Sequence, residues 1–166
     1  MEKRYTLSFD MLSIFLSILF FAIVATIISL SLYNFFGKHQ QPNIIEYIVV
    51  AILAIAGGIT YFFKPKFYSI DPSSIHIVTA CTTIEIPKNE IQQIKLIDTV
   101  NPLKRLKLFS SGGVFGYIGY YLIPNYGKAL SFASRLDKQI LITTTKRKYI
   151  ISPDDISMLD EMQKLK

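Results

Sequence analysis

The 166-residue sequence predicts a membrane-anchored protein, a two-helix transmembrane hairpin followed by an all-β split barrel with a C-terminal helix. Three observations carry this expectation. Met11 to Phe36 holds no charge, and Ile44 to Phe63 holds only Glu46 near its start. From Pro65 onward the apolar residues fall into short alternating segments divided by turn residues. At the C-terminal end they recur every three positions, as on one stripe of a helix.

At a rise of 1.5 Å per residue, helices over 11–36 and 44–63 would extend roughly 39 and 30 Å, enough to cross a hydrocarbon core of about 30 Å. A cleaved signal sequence is the rival for the first run, because Met1 to Arg4 is basic and Ser29-Leu30-Ser31 has a small-x-small spacing. The roughly 20 apolar residues ahead of that site exceed the usual 7–15, which favours an uncleaved helix. Lys3 and Arg4 precede the first helix and Lys64 and Lys66 follow the second, whereas Lys38 alone marks the connecting segment 37–43. By the positive-inside rule both termini face the cytoplasm. Tyr33, Tyr47 and Tyr61 sit near the ends of the runs, where amphipathic rings favour the headgroup level. Ala22, Ala25 and Ser29 on the first helix, and Ala51, Ala54 and Gly58 on the second, form small-residue stripes suited to close helix packing, within the hairpin or with a second copy. No ionisable residue lies near the middle of either run, a pattern of an anchor rather than a pump or channel.

The segment after Pro65 carries 14 Lys and Arg against 9 Asp and Glu, so an anionic leaflet attracts it. Residues 67–70 and 75–78 about the turn Asp71–Ser74 read as a hairpin, 82–86 as a third strand, and 91–96 as a fourth, bulged at Gln92 and Gln93. Residues 129–133, 139–143 and 148–151 complete about seven strands. Ser152, Pro153, Asp154 and Asp155 have the chemistry of a helix start. Ile156, Leu159, Met162 and Leu165 would form the stripe that docks the helix. This arrangement is that of a pleckstrin-homology-like (PH-like) split barrel. The domain division is therefore 1–64 for the hairpin and 65–166 for the cytoplasmic domain.

Between the fourth strand and residue 129 lies the least ordinary stretch, 110–127, with five glycines, four tyrosines and Phe115 but no charge. It reads as an aromatic, glycine-hinged insert between barrel strands. Its uncharged run 114–123 is about 15 Å as a helix, too short to span a bilayer. Gly113, Gly116 and Gly119 are spaced by three, but neither a P-loop lysine nor a dinucleotide fingerprint accompanies them. No cofactor is expected. The single cysteine, Cys81, excludes an intrachain disulfide, and His39 and His76 lack companions at metal-ligand spacing. With no nucleophile–base constellation the chain reads as non-enzymatic. The modest charge and a position beside the bilayer argue against nucleic acid.

The stretches "FSSGGVFGYIGYY" (109–121), "GKALSFAS" (127–134) and "ILIT" with "KYIISPDD" (140–143 and 148–155) resemble a bacterial PH-domain family, over about residues 65–166. The resemblance implies a PH-like fold, commonly preceded by a membrane hairpin in a bacterial inner membrane, and implies no catalytic residue. The function expected is binding or scaffolding of protein partners or of a second copy near the membrane. The alternative is recognition of anionic lipid headgroups by a basic-aromatic patch made of Lys104, Arg105, Lys107, Phe115, Tyr117, Tyr120, Tyr121, Lys128 and Arg135. A third possibility is that these aromatics fold onto the barrel.

Overall fold

The computed structural model describes residues 2–38, 44–97 and 106–164. Helices α1 (Met11–Lys38) and α2 (Ile44–Phe63) are both long and apolar enough to cross a membrane, and they form the hairpin. The domain that follows holds two sheets. Strand β1 (Lys3–Tyr5), ahead of α1, forms the edge of the first, which continues through β2 (Pro65–Ile70), β3 (Ser74–Thr79) and β4 (Thr83–Pro87). A turn of 3-10 helix over Lys88–Glu90 leads to the second sheet. Its strands are β5 (Ile91–Ile97), β6 (Leu106–Ser110), β7 (Tyr117–Ile123), β8 (Gly127–Ala133), β9 (Gln139–Thr144) and β10 (Lys148–Ile151), in the spatial order β5-β9-β10-β8-β7-β6. Helix α3 (Ser157–Lys164) ends the described chain.

Alternation puts Tyr68, Ile75, Ile77 and Ile86 of the first sheet against Ile118, Phe132, Ile140, Ile142 and Ile151 of the second, with Met158 and Met162 of α3 closing the core. Tyr68 is fully buried and joins the sheets, because its hydroxyl donates to the Phe132 carbonyl (2.6 Å) and accepts from the Ser152 amide (3.3 Å). Burial pushes its phenol well above the ordinary range. Ile97, Tyr117, Tyr121, Ile123, Leu141 and Ile150 form a smaller apolar cluster.

Local chemistry sets the turns. Asp71 ends β2 and accepts from the amides of Ser73 and Ser74, both at 2.8 Å, which folds the chain back into β3. The His76 ring, 2.6 Å from the same carboxyl, and the Ser73 hydroxyl and amide hold Asp71 well below the usual carboxylate range. The bulge expected at Gln92–Gln93 is the register shift between Ile91 and Gln93.

Three local expectations change. The "SPDD" segment is a loop and not a helix start, because its groups are engaged elsewhere. The buried Ser152 hydroxyl accepts from the Ser134 and Arg135 amides, Asp154 accepts from Ser8, and only Asp155 serves the helix, through the Ser157 amide (2.8 Å). With the helix starting later, Met158 and Met162 fill the core, Ile156 is exposed, and Leu165 lies outside the described residues. The insert expected at 110–127 is instead the β6–β7 hairpin and the start of β8. Finally, the N-terminal residues assigned to the hairpin unit supply β1, since Lys3–Tyr5 pair with Tyr68–Ile70 and Tyr5 enters the core.

Gly119 lies in β7 at φ +118°, and a Cβ there would stand 2.2 Å from the Phe109 carbonyl oxygen on the bulged β6. Gly119→Ala is therefore expected to destabilise the full-length protein by more than about 1 kcal/mol. A thermal melt in detergent should show a Tm several degrees lower. Asp71→Asn carries a pH signature. The native carboxyl is depressed, so its stabilisation is present above its unfolded value of 3.8 and fades as pH falls through the lower native one. The Tm gap between wild type and Asp71→Asn should be open at pH 7 and narrow below about pH 4.

Candidate functional site

The N-terminal end of α1 does not leave the domain freely. Asp10 caps it, accepting from the Ser13 amide at 2.8 Å. The other carboxylate oxygen accepts from the Leu136 amide in the β8–β9 loop (3.1 Å), and the Tyr117 hydroxyl of β7 donates to both, at 3.2 and 3.0 Å. Burial, followed by the Asp10 charge, raises the Tyr117 phenol far above its ordinary value. One carboxylate thus ties a candidate membrane helix to two parts of the second sheet.

The turn between β6 and β7 makes the second attachment. Ser13, only 1% exposed, donates through its hydroxyl to the Gly113 carbonyl (2.8 Å), and the Phe115 amide donates to the Ser17 hydroxyl (2.9 Å). Gly113 has φ +118°, and a Cβ there would lie 2.6 Å from Leu16 of α1, so only glycine permits this approach. Phe115 then reaches between the helices, edge-on to Phe21 of α1 (5.6 Å) and to Tyr61 of α2 (5.7 Å). The Lys64 ammonium lies 4.5 Å from the Tyr61 ring centre and 6.0 Å from that of Phe115. The β3–β4 turn adds a third attachment, in which the Cys81 amide donates to the Phe62 carbonyl at the end of α2 (3.2 Å).

The described residues of the expected basic-aromatic patch differ in their surroundings. Tyr117 and Tyr121 are buried under the second sheet, and Phe115 is held by the chain's own helices. Tyr120 is half-buried beneath the Lys128 ammonium, 4.2 Å from its ring centre. Arg135 is engaged by Asp137 at 2.5 Å and Asp154 at 3.4 Å, and Asp137 chiefly raises it further. Lys107 is exposed on β6, and Lys104 and Arg105 lie outside the described residues. On the helices, Ala22, Ala25, Ser29, Ala51 and Ala54 are exposed, and nothing stands within 4 Å of where a Gly58 Cβ would be. The close approach within the hairpin is made by Gly57, whose Cβ position lies 2.9 Å from the Phe20 ring. Sequence reasoning left out Asp10, Ser13 and Ser17, although an Asp just ahead of an apolar run is itself a helix-start signal.

A split barrel of two open sheets and a C-terminal helix, fastened to a helical hairpin of membrane-spanning length, defines a membrane-associated PH-like protein. The chain belongs to the bacterial PH-domain family, whose model, described as a bacterial PH domain, matches residues 66–166, more than half of the sequence. No curated protein and no solved structure matches it.

Asp10→Ala removes the cap and leaves the Leu136 amide and the Tyr117 hydroxyl without their acceptor. The expected loss is about 1–3 kcal/mol. Hydrogen exchange on the full chain in nanodiscs should show faster exchange at Ser13 and Leu136, with the amides of β3 unchanged.

Proposed function

We propose that α1 and α2 anchor this chain in a bacterial inner membrane, with both termini cytoplasmic, and that the PH-like domain is a non-enzymatic module that binds or scaffolds a protein partner or a second copy. The observation that carries the reading is the triple attachment just described, which holds the domain in one orientation and leaves β6 as an outer strand of the second sheet. Leu106, Leu108 and Phe109 of that strand are 63, 49 and 82% exposed. Among the described residues, no strand pairs with its outer edge. An exposed apolar edge is a template for strand addition by another chain.

Helix lengths support the anchor. The first two turns of α1 are spent on the domain through Ser13 and Ser17, and from Ile18 to Lys38 the helix extends about 31 Å, against about 30 Å for α2. Both then match a hydrocarbon core of about 30 Å. Because β1 pairs with β2, the N-terminus and the domain share one side of the hairpin. The cations Lys3, Arg4, Lys64 and Lys66 lie on that side, as cytoplasmic flanks do. The lipid reading draws on Lys107 and the Lys128–Tyr120 pair, whose cations remain exposed.

A photocrosslinking amino acid at Phe109, introduced into the full chain in native membranes, should give a discrete adduct with a protein or with a second copy. The same group at exposed Asn89 should give none. Equal labelling from both positions, or no protein adduct from Phe109, refutes the docking edge. A reporter fused after the last residue should read cytoplasmic.

A further inference from the structure

We infer that the groove between α1, the junction of α2 with β2 and the β6–β7 turn is a binding site for one anionic phospholipid, with an acyl chain along α1 and the phosphate on Lys64. The inference rests on the membrane-anchored reading above. The groove has a volume of about 290 Å³ and is walled by Phe9, Ile14, Ile18, Phe21 and Phe115, with Lys64 at its side. That volume is near the lower end for small-molecule sites and suits a length of hydrocarbon chain.

Ser13 and Ser17 also line the groove, and their hydroxyls are engaged within the protein. The hydroxyl of Ser13 donates to Gly113, while that of Ser17 donates to the Ser13 carbonyl and accepts from Phe115. The Lys64 ammonium lies over the rings of Tyr61 and Phe115, and among the described residues no carboxylate forms an ion pair with it. One unspent cation beside an otherwise apolar groove complements a ligand with one anionic group and a hydrocarbon tail. Position selects the source of that ligand. Ile14, Ile18 and Phe21 continue directly into the apolar length of α1, and Lys64 follows the last residue of α2, where the headgroups of the cytoplasmic leaflet lie if the helices span the bilayer. The groove is thus continuous with the lipid phase, and Lys64 stands at phosphate depth.

The test uses the full-length protein, delipidated in detergent and titrated with dioleoyl phosphatidylglycerol or dioleoyl phosphatidylcholine, with bound lipid read by native mass spectrometry. One molecule of the anionic lipid should be retained in preference to the zwitterionic one. Lys64→Gln should reduce that preference about fivefold, the contribution of one cation near a membrane surface. Lys64→Arg should keep it. Ile14→Trp, which fills the groove, should abolish retention of both lipids while a thermal melt confirms folding. Lys66→Gln, at an exposed cation two residues on, should leave the preference unchanged. Equal loss from Lys64→Gln and Lys66→Gln would show diffuse surface charge and overturn the site. Undiminished retention in Ile14→Trp, or equal binding of the two lipids by the wild type, would also overturn it. A periplasmic reading from the C-terminal reporter would sink the anchor topology instead, so the two failures are distinguishable.

Discussion

The Asp10 carboxylate is the constraint on which the arrangement of this protein depends. It lies where the chain passes from β1 of the first sheet into a helix of membrane-spanning length. There it meets the Ser13 amide of α1, the Leu136 amide of the β8–β9 loop and the Tyr117 hydroxyl of β7. Hydrogen bonds to a charged acceptor contribute about 1.5–3 kcal/mol each, and an ionised group this engaged resists being pulled away from any one partner. The consequence is mechanical. A domain joined to its helices by a flexible linker would sample many orientations, whereas one fastened at the helix start, at the β6–β7 turn and at the end of α2 is held in one orientation relative to them.

The β6–β7 hairpin shows how composition can mislead about role. Its glycines resemble a ligand loop by spacing and its aromatics resemble a membrane segment by hydropathy. In the folded chain the glycines are points of close approach. Gly113 admits Leu16 of α1 and Gly119 admits the backbone of the bulged β6. The aromatics divide by the two-residue period of β7. Tyr117 and Tyr121 face the smaller apolar cluster, and Tyr120 faces the other way under Lys128. Phe115, in the turn itself, is free of that alternation and joins the domain to both helices.

Much of the fold was legible in one dimension. The helix spans follow from long uncharged runs, and the hairpin at Asp71 and the bulge after Ile91 follow from turn chemistry and interrupted alternation. The site was far less legible. Lys107, Lys128 and Arg135 look alike in sequence, yet Arg135 is engaged by two carboxylates, one of them nineteen positions away, while Lys107 is exposed. The misplaced start of α3 has the same origin, since Ser152 and Asp154 have good capping chemistry but find partners in the β8–β9 loop and the N-terminal segment.

What the sequence determined by itself is therefore whatever depends on local periodicity and solvent preference, namely the hairpin of long apolar helices, the short strands, and the PH-like class they compose. What only the tertiary structure decided is which part of the long apolar helices packs on the domain and which part extends beyond it. Nothing in the run from Met11 to Phe36 separates Ser13 and Ser17 from the other small polar residues in it. Their hydroxyls acquire a role because a strand turn a hundred residues away offers the Gly113 carbonyl and the Phe115 amide at hydrogen-bond distance. Hydrogen-bond satisfaction at such a junction is a property of two surfaces brought together, and a linear pattern records only one of them.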